Sequence, residues 1–279
     1  MVVAIIGLGL IGGSMSLALK AKGFASSVIG VESNPAHAAR AVELGLANRC
    51  LPLEEAVAAS NLIMLATPIN ATEKLLPQVL DLVKEQVVFD VGSTKSVLCQ
   101  LVSRHPKRGR FVATHPMWGT ENSGPDAAVK NAFVQKATVI CNAEDSDDDA
   151  LRMVREIYGL LQMHLVYMES GAHDMHVAYI SHISHITSFA LANTVLEKER
   201  EEDAIFELAS GGFESTVRLA KSNADMWVPI FMQNRDNVLD VLNEHISQLR
   251  KFKSCLEKEN YDYLKELIEN ANGIRRILK

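Results

Sequence analysis

The chain has 279 residues, of which 48% are hydrophobic, so it is long enough for two domains with a sizeable buried core. A formal net charge of -6 argues against nucleic acid as the main partner, because phosphate binding needs a concentrated basic face. The four cysteines are far apart and form no Cys-x-x-Cys pair, so neither a disulfide framework nor a thiolate metal site is indicated, and a reducing, cytoplasmic setting fits. Residues 1–19 are uncharged, but they lack a basic leading region and glycines interrupt them, so we predict neither a signal peptide nor a membrane span.

The chain opens with an apolar strand, residues 2–6, directly before a Gly-x-Gly-x-x-Gly turn. Gly7 permits a sharp turn, Gly9 permits close approach of a pyrophosphate, and Gly12 permits tight packing of a helix on the strand. Amides at the start of that helix then face the phosphates. The pattern predicts a dinucleotide site made of Gly7, Leu8, Gly9, Leu10, Ile11 and Gly12, with Thr67 and Pro68 after a later strand.

An acidic residue, Glu32, follows the second predicted strand. This is the position at which a carboxylate accepts hydrogen bonds from the adenosine ribose. The same carboxylate repels a 2′-phosphate, so the sequence favours NAD over NADP as the cofactor.

Short apolar runs alternate with helical patterns as far as about Glu169, which is typical of a parallel sheet covered by helices. We predict strands over 2–6, 28–31, 62–66, 87–90, 111–113, 138–141 and 164–168. We predict helices over 13–22, 35–44, 71–83 and 148–161, the last beginning within the acidic run 145–149. The basic stretch 104–110 is interpreted as a solvated turn.

Beyond Glu169 apolar residues recur only at helical spacing. The predicted fold class is therefore an α/β Rossmann-type dinucleotide-binding domain over residues 1–169, followed by an all-α domain over residues 170–279. The segment 226–256 is predicted to be one long helix that packs against a partner subunit or bridges domains, and the alternative is two consecutive helices.

A strand end followed by His-Pro-Met-x-Gly, at residues 115–119, lies downstream of the glycine turn and of an Asp-Val-Gly-Ser-Thr-Lys segment, residues 90–95. This combination resembles the prephenate/arogenate dehydrogenase family of tyrosine biosynthesis. The resemblance covers nearly the whole chain and continues through His173-Asp174, Ser181-His182-Ile-Ser-His185, Gly211-Gly212-Phe213, Thr216-Val-Arg218 and Met226-Trp227.

The resemblance implies oxidative decarboxylation of prephenate to 4-hydroxyphenylpyruvate, with hydride transfer to NAD⁺. It also implies a small-molecule substrate and a homodimer formed through the helical domain. Four histidines fall within residues 173–185, yet no cysteine or carboxylate cluster joins them and hydride transfer needs no metal, so no metal site is predicted.

The resemblance also assigns roles to the catalytic candidates. It gives His115 the role of hydrogen-bonding the ring hydroxyl and drawing its proton, which suits an ordinary imidazole pKa near 6.5. It gives Ser93 the role of hydrogen-bonding this histidine near the nicotinamide. Arg218 is expected to hold a substrate carboxylate, for which a planar guanidinium fork is well suited.

The remaining candidates belong to the substrate side. His182 and His185 lie three residues apart, hence on one helix face, and by resemblance they face the substrate. Glu121 is expected as a gate or polar contact and Trp227 as a wall of the cleft.

Two residues depart from the family pattern, and several alternatives stay open. Glu214 stands where many relatives carry a basic residue, and Trp118 is bulkier than expected after His-Pro-Met. Arogenate is an alternative substrate. A β-hydroxyacid dehydrogenase, with Lys221 as its lysine, and an NAD-binding sensor without turnover are more distant alternatives. No regulatory domain is expected after the helical region, so any tyrosine inhibition is expected to act at the active site.

Overall fold

The computed structural model describes residues 1–199 and 207–277. The chain forms two compact units, Met1–Asn234 and Arg235–Lys279. The first unit contains a mixed sheet with helices on both faces, and after Met168 the described residues contain helices and no strand. The predicted fold class is thereby confirmed, whereas the domain division at residue 169 stays a prediction. No helix in the described ranges has the length and apolar character needed to cross a membrane.

The sheet has eight strands in the order β3-β2-β1-β4-β5-β6-β7-β8. They are β1 (Val2–Ile6), β2 (Ser27–Val31), β3 (Arg49–Cys50), β4 (Leu62–Leu65), β5 (Val87–Asp90), β6 (Phe111–Pro116), β7 (Ala137–Cys141) and β8 (His164–Met168). All seven predicted strands are present, and the missed β3 has only two residues. The predicted parallel sheet is present, with one pairing that the sequence analysis did not foresee, because β7 runs antiparallel to β6. The loop between these two strands contains no α-helix to carry the chain back across the sheet.

Ten α-helices lie in the described part of the first unit. They are α1 (Leu10–Ala21), α2 (Pro35–Glu43), α3 (Leu53–Ala58), α4 (Ile69–Leu82), α5 (Ser96–Leu101), α6 (Asp148–Leu160), α7 (Ser170–Val177), α8 (Ile183–Glu199), α9 (Gly211–Val217) and α10 (Ala224–Gln233). The four predicted helices are confirmed, and α3 and α5 were missed because six residues are too few for a periodic pattern. Trp227 and Ile230 of α10 join the apolar cluster on one face of the sheet.

The prediction of one helix over 226–256 is wrong, and the two-helix alternative is correct. Helix α10 ends at Gln233 and α11 covers Arg235–Glu257. Asn234 interrupts the helical path with φ −102° and ψ 25°, and its side-chain amide donates to the Asp174 carbonyl at 2.6 Å. A short polar side chain that finds a partner outside the helix favours such a break. In the second unit, α11 is followed by α12 (Tyr261–Ala271), whose start is capped by Asn260.

The basic stretch 104–110 is not a solvated turn. Arg108 is buried and donates to the Phe111 carbonyl at 2.7 Å, and its guanidinium pairs with Asp145 at 3.2 Å. Arg110 pairs with Asp149 at 2.8 Å. The acidic run supplies these partners and also begins α6 at Asp148, as predicted. The two charged segments therefore neutralise each other at one end of the sheet.

The glycine turn after β1 leaves no room for side chains at two of its three glycines. Gly7 has φ +95°, and a Cβ there would lie 2.7 Å from the Ala66 carbonyl oxygen. A Cβ on Gly12 would lie 2.0 Å from the Gly7 carbonyl oxygen. At Gly9 the nearest heavy atom to a Cβ would be 4.0 Å away, so space remains open at the start of α1. These are the constraints that a pyrophosphate-binding turn requires.

We expect Gly12→Ala to lower the free energy of unfolding of the first unit by about 3 kcal/mol, because the clash is with backbone and α1 must shift. Urea unfolding followed by tryptophan fluorescence measures this, since both tryptophans lie within Met1–Asn234. The matched control is Gly159→Ala in α6, where a Cβ meets nothing within 4 Å and stability should hold or rise. A Gly12→Ala protein as stable as the parent would contradict the packing argument.

Candidate active site

The first part of the site lies at the carboxyl ends of the parallel strands, where the turn after β1 meets Glu32. The Leu8 amide donates to one carboxylate oxygen of Glu32 at 3.2 Å, and the Asn34 amide donates to the other at 3.1 Å. Gly9 precedes α1, and neither a capping side chain nor an acidic residue occupies the first turn of this helix. An uncapped helix start beside open space fits an anionic pyrophosphate.

The other predicted cofactor residues lie around the same edge. Leu10 and Ile11 begin α1 and are half-buried. Thr67 follows β4, the neighbour of β1, and its hydroxyl lies 2.8 Å from that of Thr72. Pro68 is exposed and directly precedes α4. The carboxyl ends of adjacent parallel strands therefore place these residues along one edge with the glycine turn.

A buried ion pair fixes the loop after β5 against β6. Asp90 and Lys95 are fully buried and form a salt bridge. The Lys95 ammonium also donates to the Thr114 carbonyl at 2.7 Å, while the Asp90 carboxylate accepts from the Thr114 amide at 3.1 Å and the Gly92 amide at 2.9 Å. Buried charges are tolerated when they are paired and hydrogen-bonded in this way. The loop that carries Ser93 is thus held beside the strand that carries His115.

His115 belongs to β6 itself, whereas the sequence placed it just beyond the strand. Its Nδ1 lies 2.9 Å from Nε2 of His173, and the two rings are nearly perpendicular. Nδ1 of His173 lies 2.8 Å from the Asp174 carboxylate. Ser93 is half-buried in the loop after β5, and no hydrogen bond joins it to His115 within residues 1–199 and 207–277. The structure therefore orients His115 through a second histidine and a carboxylate.

Burial controls the charges of this group. It lowers the pKa of His115 well below the ordinary value, and positive charge on Lys95, or on His173 and His182 when those rings are protonated, acts in the same direction. Burial alone would raise the pKa of Asp174, but hydrogen bonds from His173 and from the Ser96 and Lys95 amides outweigh it, so the pKa is lowered. Near neutral pH, His115 is accordingly a neutral imidazole and Asp174 an anion.

A π-helical turn, Ala178–His182, connects α7 to α8 and ends at one of the predicted substrate residues. Such turns occur frequently at functional sites. His182 is 1% exposed, and its Nδ1 accepts from the Asn234 side-chain amide at 3.2 Å. Burial lowers the pKa of His182 to about 4, although the charge of Asp174 acts in the opposite direction. His182 is therefore a second neutral imidazole.

The remaining predicted residues form an aromatic and charged cluster. The rings of His185 and Trp227 are stacked, with centroids 3.4 Å apart. The indole N–H of Trp227 is buried and has no hydrogen-bond partner among the described residues. Arg218 pairs with Glu121 at 2.8 Å. Burial lowers the pKa of His185, the Ser181 carbonyl raises it, and the positive charge of Arg218 lowers it again. The positive charge of Arg218 thus contributes to lowering the pKa of His185.

Contacts link four of the predicted residues, His115, His182, His185 and Trp227, whereas Arg218 and Glu121 contact each other and Ser93 contacts none of them within the described ranges. The ring of His182 meets Trp227 edge-on at 5.9 Å, and Asn234 connects His182 to Asp174. The contacts of His173, Asp174 and Asn234 within this group were not predicted from the sequence. The adjacent His-Asp pair was visible, but nothing in the sequence places it beside residue 115. Among the described residues, no three His, Cys, Asp or Glu side chains form a group that would hold a metal ion.

Comparison with known proteins finds one family along nearly the whole chain. The family profile for the prephenate dehydrogenase nucleotide-binding domain matches residues 15–167, and that for its dimerization domain matches residues 169–270. Prephenate dehydrogenase of Bacillus subtilis (strain 168) is 29% identical over 273 residues, which cover 96% of this chain and 74% of the relative.

Two crystal structures show how far the likeness extends. Prephenate dehydrogenase from A. aeolicus, in complex with hydroxyphenyl propionate and NAD⁺, has a TM-score of 0.90 and 26% identity, covering 100% of this chain and 98% of that one. Synechocystis arogenate dehydrogenase has a TM-score of 0.78 and 27% identity, with full coverage of both chains. The likeness thus includes enzymes named for two different substrates.

The lowered pKa of His182 predicts a specific loss of stability in acid. Because the folded state disfavours the charged ring, it binds fewer protons than the unfolded state between the unfolded pKa near 6.5 and the folded value of about 4. Stability should therefore fall as the pH drops through this range. We expect His182→Gln to remove about 2 kcal/mol of the decrease between pH 7 and pH 5. Urea unfolding at both pH values measures this, and identical pH dependences in the two proteins would contradict it.

Proposed function

The chain belongs to the prephenate dehydrogenase family, and from this premise we propose that it oxidatively decarboxylates prephenate to 4-hydroxyphenylpyruvate with NAD⁺ as hydride acceptor, in tyrosine biosynthesis. The observation that carries the proposal is the neutral His115, oriented by His173 at the carboxyl end of β6. The carboxyl ends of β1, β5 and β6 share one edge of the sheet, which brings the glycine turn, Ser93 and His115 to the same side.

The turn after β1 is suited to NAD. The uncapped start of α1 would receive the pyrophosphate, with Gly9 leaving space for it. Glu32 would accept hydrogen bonds from the adenosine ribose, and its charge disfavours a 2′-phosphate. Bound NAD⁺ supplies the acceptor for the hydride that leaves the hydroxyl-bearing ring carbon. The relative from A. aeolicus, with a TM-score of 0.90, was crystallised with NAD⁺.

His115 has the properties of a base for the ring hydroxyl. As a neutral imidazole it accepts the hydroxyl proton while the C–H electron pair leaves as hydride. The bond from the ring to its carboxylate then breaks, its electrons complete the aromatic ring, and carbon dioxide departs. His115 returns the proton to the ring oxygen, so no net proton is released. We propose Ser93 as a hydrogen-bonding residue beside this step.

The two carboxylates of prephenate must be bound with different strengths. We propose that Arg218 binds the carboxylate of the pyruvyl side chain through its guanidinium fork. The ring carboxylate leaves as a neutral molecule, so tight binding of its charge in the ground state would slow the reaction. His182, His185 and Trp227 would surround the ring with neutral groups and an unpaired indole N–H.

Arogenate is the second candidate substrate, and Glu121 is the observation that favours it. Arogenate carries an amino group in place of the side-chain ketone, and a carboxylate 2.8 Å from Arg218 is positioned to pair with that ammonium. The Synechocystis relative is itself named an arogenate dehydrogenase. The assay below compares the two substrates directly.

We further propose a cytoplasmic homodimer formed through the helical domain, residues 170–279. A family profile described as a dimerization domain matches 169–270. Exposed apolar side chains on the second unit, among them Leu256 and Tyr261, offer surface for such an interface. The four unpaired cysteines fit a reducing compartment.

The function is tested by following NADH absorbance with prephenate, then arogenate, and then NADP⁺ in place of NAD⁺. We expect turnover with prephenate and NAD⁺, and we expect His115→Asn to lower kcat by about 10²- to 10⁴-fold while NAD⁺ still binds. His164→Asn, an exposed histidine on β8, is the matched control. Activity with arogenate alone would make arogenate, rather than prephenate, the substrate. Activity with neither compound would overturn the proposal. Full turnover by His115→Asn would remove this residue from the mechanism.

Arg218→Ala should raise KM for the substrate by about 10- to 100-fold with a smaller effect on kcat, because it removes a charge-assisted contact remote from the reacting carbon. The control is Arg152→Ala, an exposed arginine on α6. Steady-state kinetics at saturating NAD⁺ distinguish the two parameters. An unchanged KM in Arg218→Ala would place the carboxylate site elsewhere.

A further inference from the structure

Two buried residues outside the assigned catalytic set, His173 and Asp174, form a hydrogen-bonded chain that ends on His115. Resting on the proposed function, we propose that His173 and Asp174 are positioning residues that select the tautomer of His115 whose Nε2 accepts a proton. The order of donors and acceptors along this hydrogen-bonded chain determines which imidazole nitrogens carry protons.

The order begins at Asp174, which acts only as an acceptor. Its Oδ1 takes the Lys95 amide at 2.8 Å, and its Oδ2 takes the Ser96 amide at 2.8 Å. These donors hold the carboxylate as an anion, because an ionised carboxylate offers acceptors alone. The hydrogen bond of 2.8 Å to Nδ1 of His173 must therefore be donated by the ring.

The tautomer of His173 then determines that of His115. In the proposed arrangement His173 is a neutral imidazole with a single proton, and because that proton is on Nδ1 its Nε2 carries a lone pair. That lone pair lies 2.9 Å from Nδ1 of His115, which must consequently be the donor. His115 is left with a lone pair on Nε2, and no hydrogen bond within the described ranges occupies that atom. This is the form that a general base requires.

The same chain stabilises the product of proton transfer. When His115 accepts the hydroxyl proton at Nε2, its Nδ1–H donates more strongly to His173, whose own Nδ1–H donates to the anion of Asp174. Lys95 also lies next to the chain, and its salt bridge to Asp90 offsets much of its charge. His182, on the far side of Asn234, is held neutral by its burial. The negative charge of Asp174 can therefore stabilise the protonated His115 through the two imidazole hydrogen bonds.

The arrangement follows the order of a serine-protease triad, with a second imidazole inserted between the carboxylate and the base. In such a triad the carboxylate fixes the tautomer of the histidine and stabilises the imidazolium without becoming protonated. The roles of Asp174 and His173 here are the same in kind, since neither needs to touch the substrate.

The direct test is ¹⁵N NMR of the whole protein labelled at its nine histidines, without substrate, at pH 7.5. Long-range ¹H–¹⁵N correlations distinguish a protonated ring nitrogen from one that carries a lone pair. We expect both His115 and His173 to be protonated on Nδ1, with assignments from His115→Asn and His173→Phe. An Nε2–H form of His115 would overturn the proposal, whether or not the protein oxidises prephenate.

The kinetic test uses two substitutions of His173. Phenylalanine keeps the ring volume, removes the acceptor for His115 and leaves Asp174 with its two backbone donors. Glutamine retains a side-chain oxygen that can accept from Nδ1 of His115. We expect His173→Phe to lower kcat by about 10²-fold with KM little changed, and His173→Gln to recover most of this loss. His176→Gln, an exposed position on the same helix, is the control.

The outcomes separate the positioning role from the function on which it rests. If the parent protein oxidises neither prephenate nor arogenate, the proposed function fails and the NMR result alone decides the tautomer. If the parent is active and folded His173→Phe keeps its kcat, or keeps His115 protonated on Nδ1 alone, the positioning role fails while the function stands. A rise in KM without loss of kcat would also overturn the positioning role.

Discussion

The carboxylate of Asp174 is the group on which the rest of the site depends. It accepts from the backbone amides of Lys95 and Ser96 after β5 and from the His173 ring, and the backbone carbonyl of the same residue accepts from Asn234. A buried carboxylate is costly unless its oxygens are satisfied, and here three donors satisfy it. Its position therefore fixes the loop after β5, helix α7 and the end of α10 relative to one another.

The charges of the site follow from its burial. Two histidines that would be partly cationic in water are held neutral, because burial lowers the pKa of both His115 and His182. The ammonium of Lys95 is neutralised by Asp90. Arg218 is paired as well, with Glu121, but this pair is partly exposed, which is why we propose Arg218 rather than the fully buried Lys95 for the substrate carboxylate. This distribution supports the proposed reaction, in which the substrate is held by one carboxylate and loses the other as a neutral molecule.

Features determined by neighbouring residues were predictable from the sequence. The glycine turn was recognised because Gly7 and Gly12 are constrained by atoms only a few positions away or on the adjacent strand. The antiparallel β7, the break at Asn234 and the burial of Arg108 were not recognised, since each depends on a partner distant in the chain. The sequence shows that His173 and Asp174 are adjacent, but it does not show that the His173 ring lies beside His115 in the folded chain.

Trp118, one of the two departures from the family pattern, packs against the hydrophobic core. Trp118 is bulkier than expected at its position, but its ring packs edge-on against Phe133 at 5.5 Å and joins the apolar cluster under the sheet. Its extra volume therefore adds to the core. Glu214, the second departure, is exposed on α9, four residues before Arg218.

The π-helical turn lies between two helices that contact different parts of the candidate site. Before the turn, α7 presents His173 to the strand that carries His115. After the turn, α8 carries His185, and Ser188 of the same helix donates to the Thr216 carbonyl at 3.1 Å, two residues before Arg218. A π turn inserts an additional residue into the helical repeat and so rotates all that follows it. The backbone is continuous through the turn, so the turn sets the orientation of α8, and with it the Ser188 hydroxyl that contacts the segment of Arg218, relative to His173.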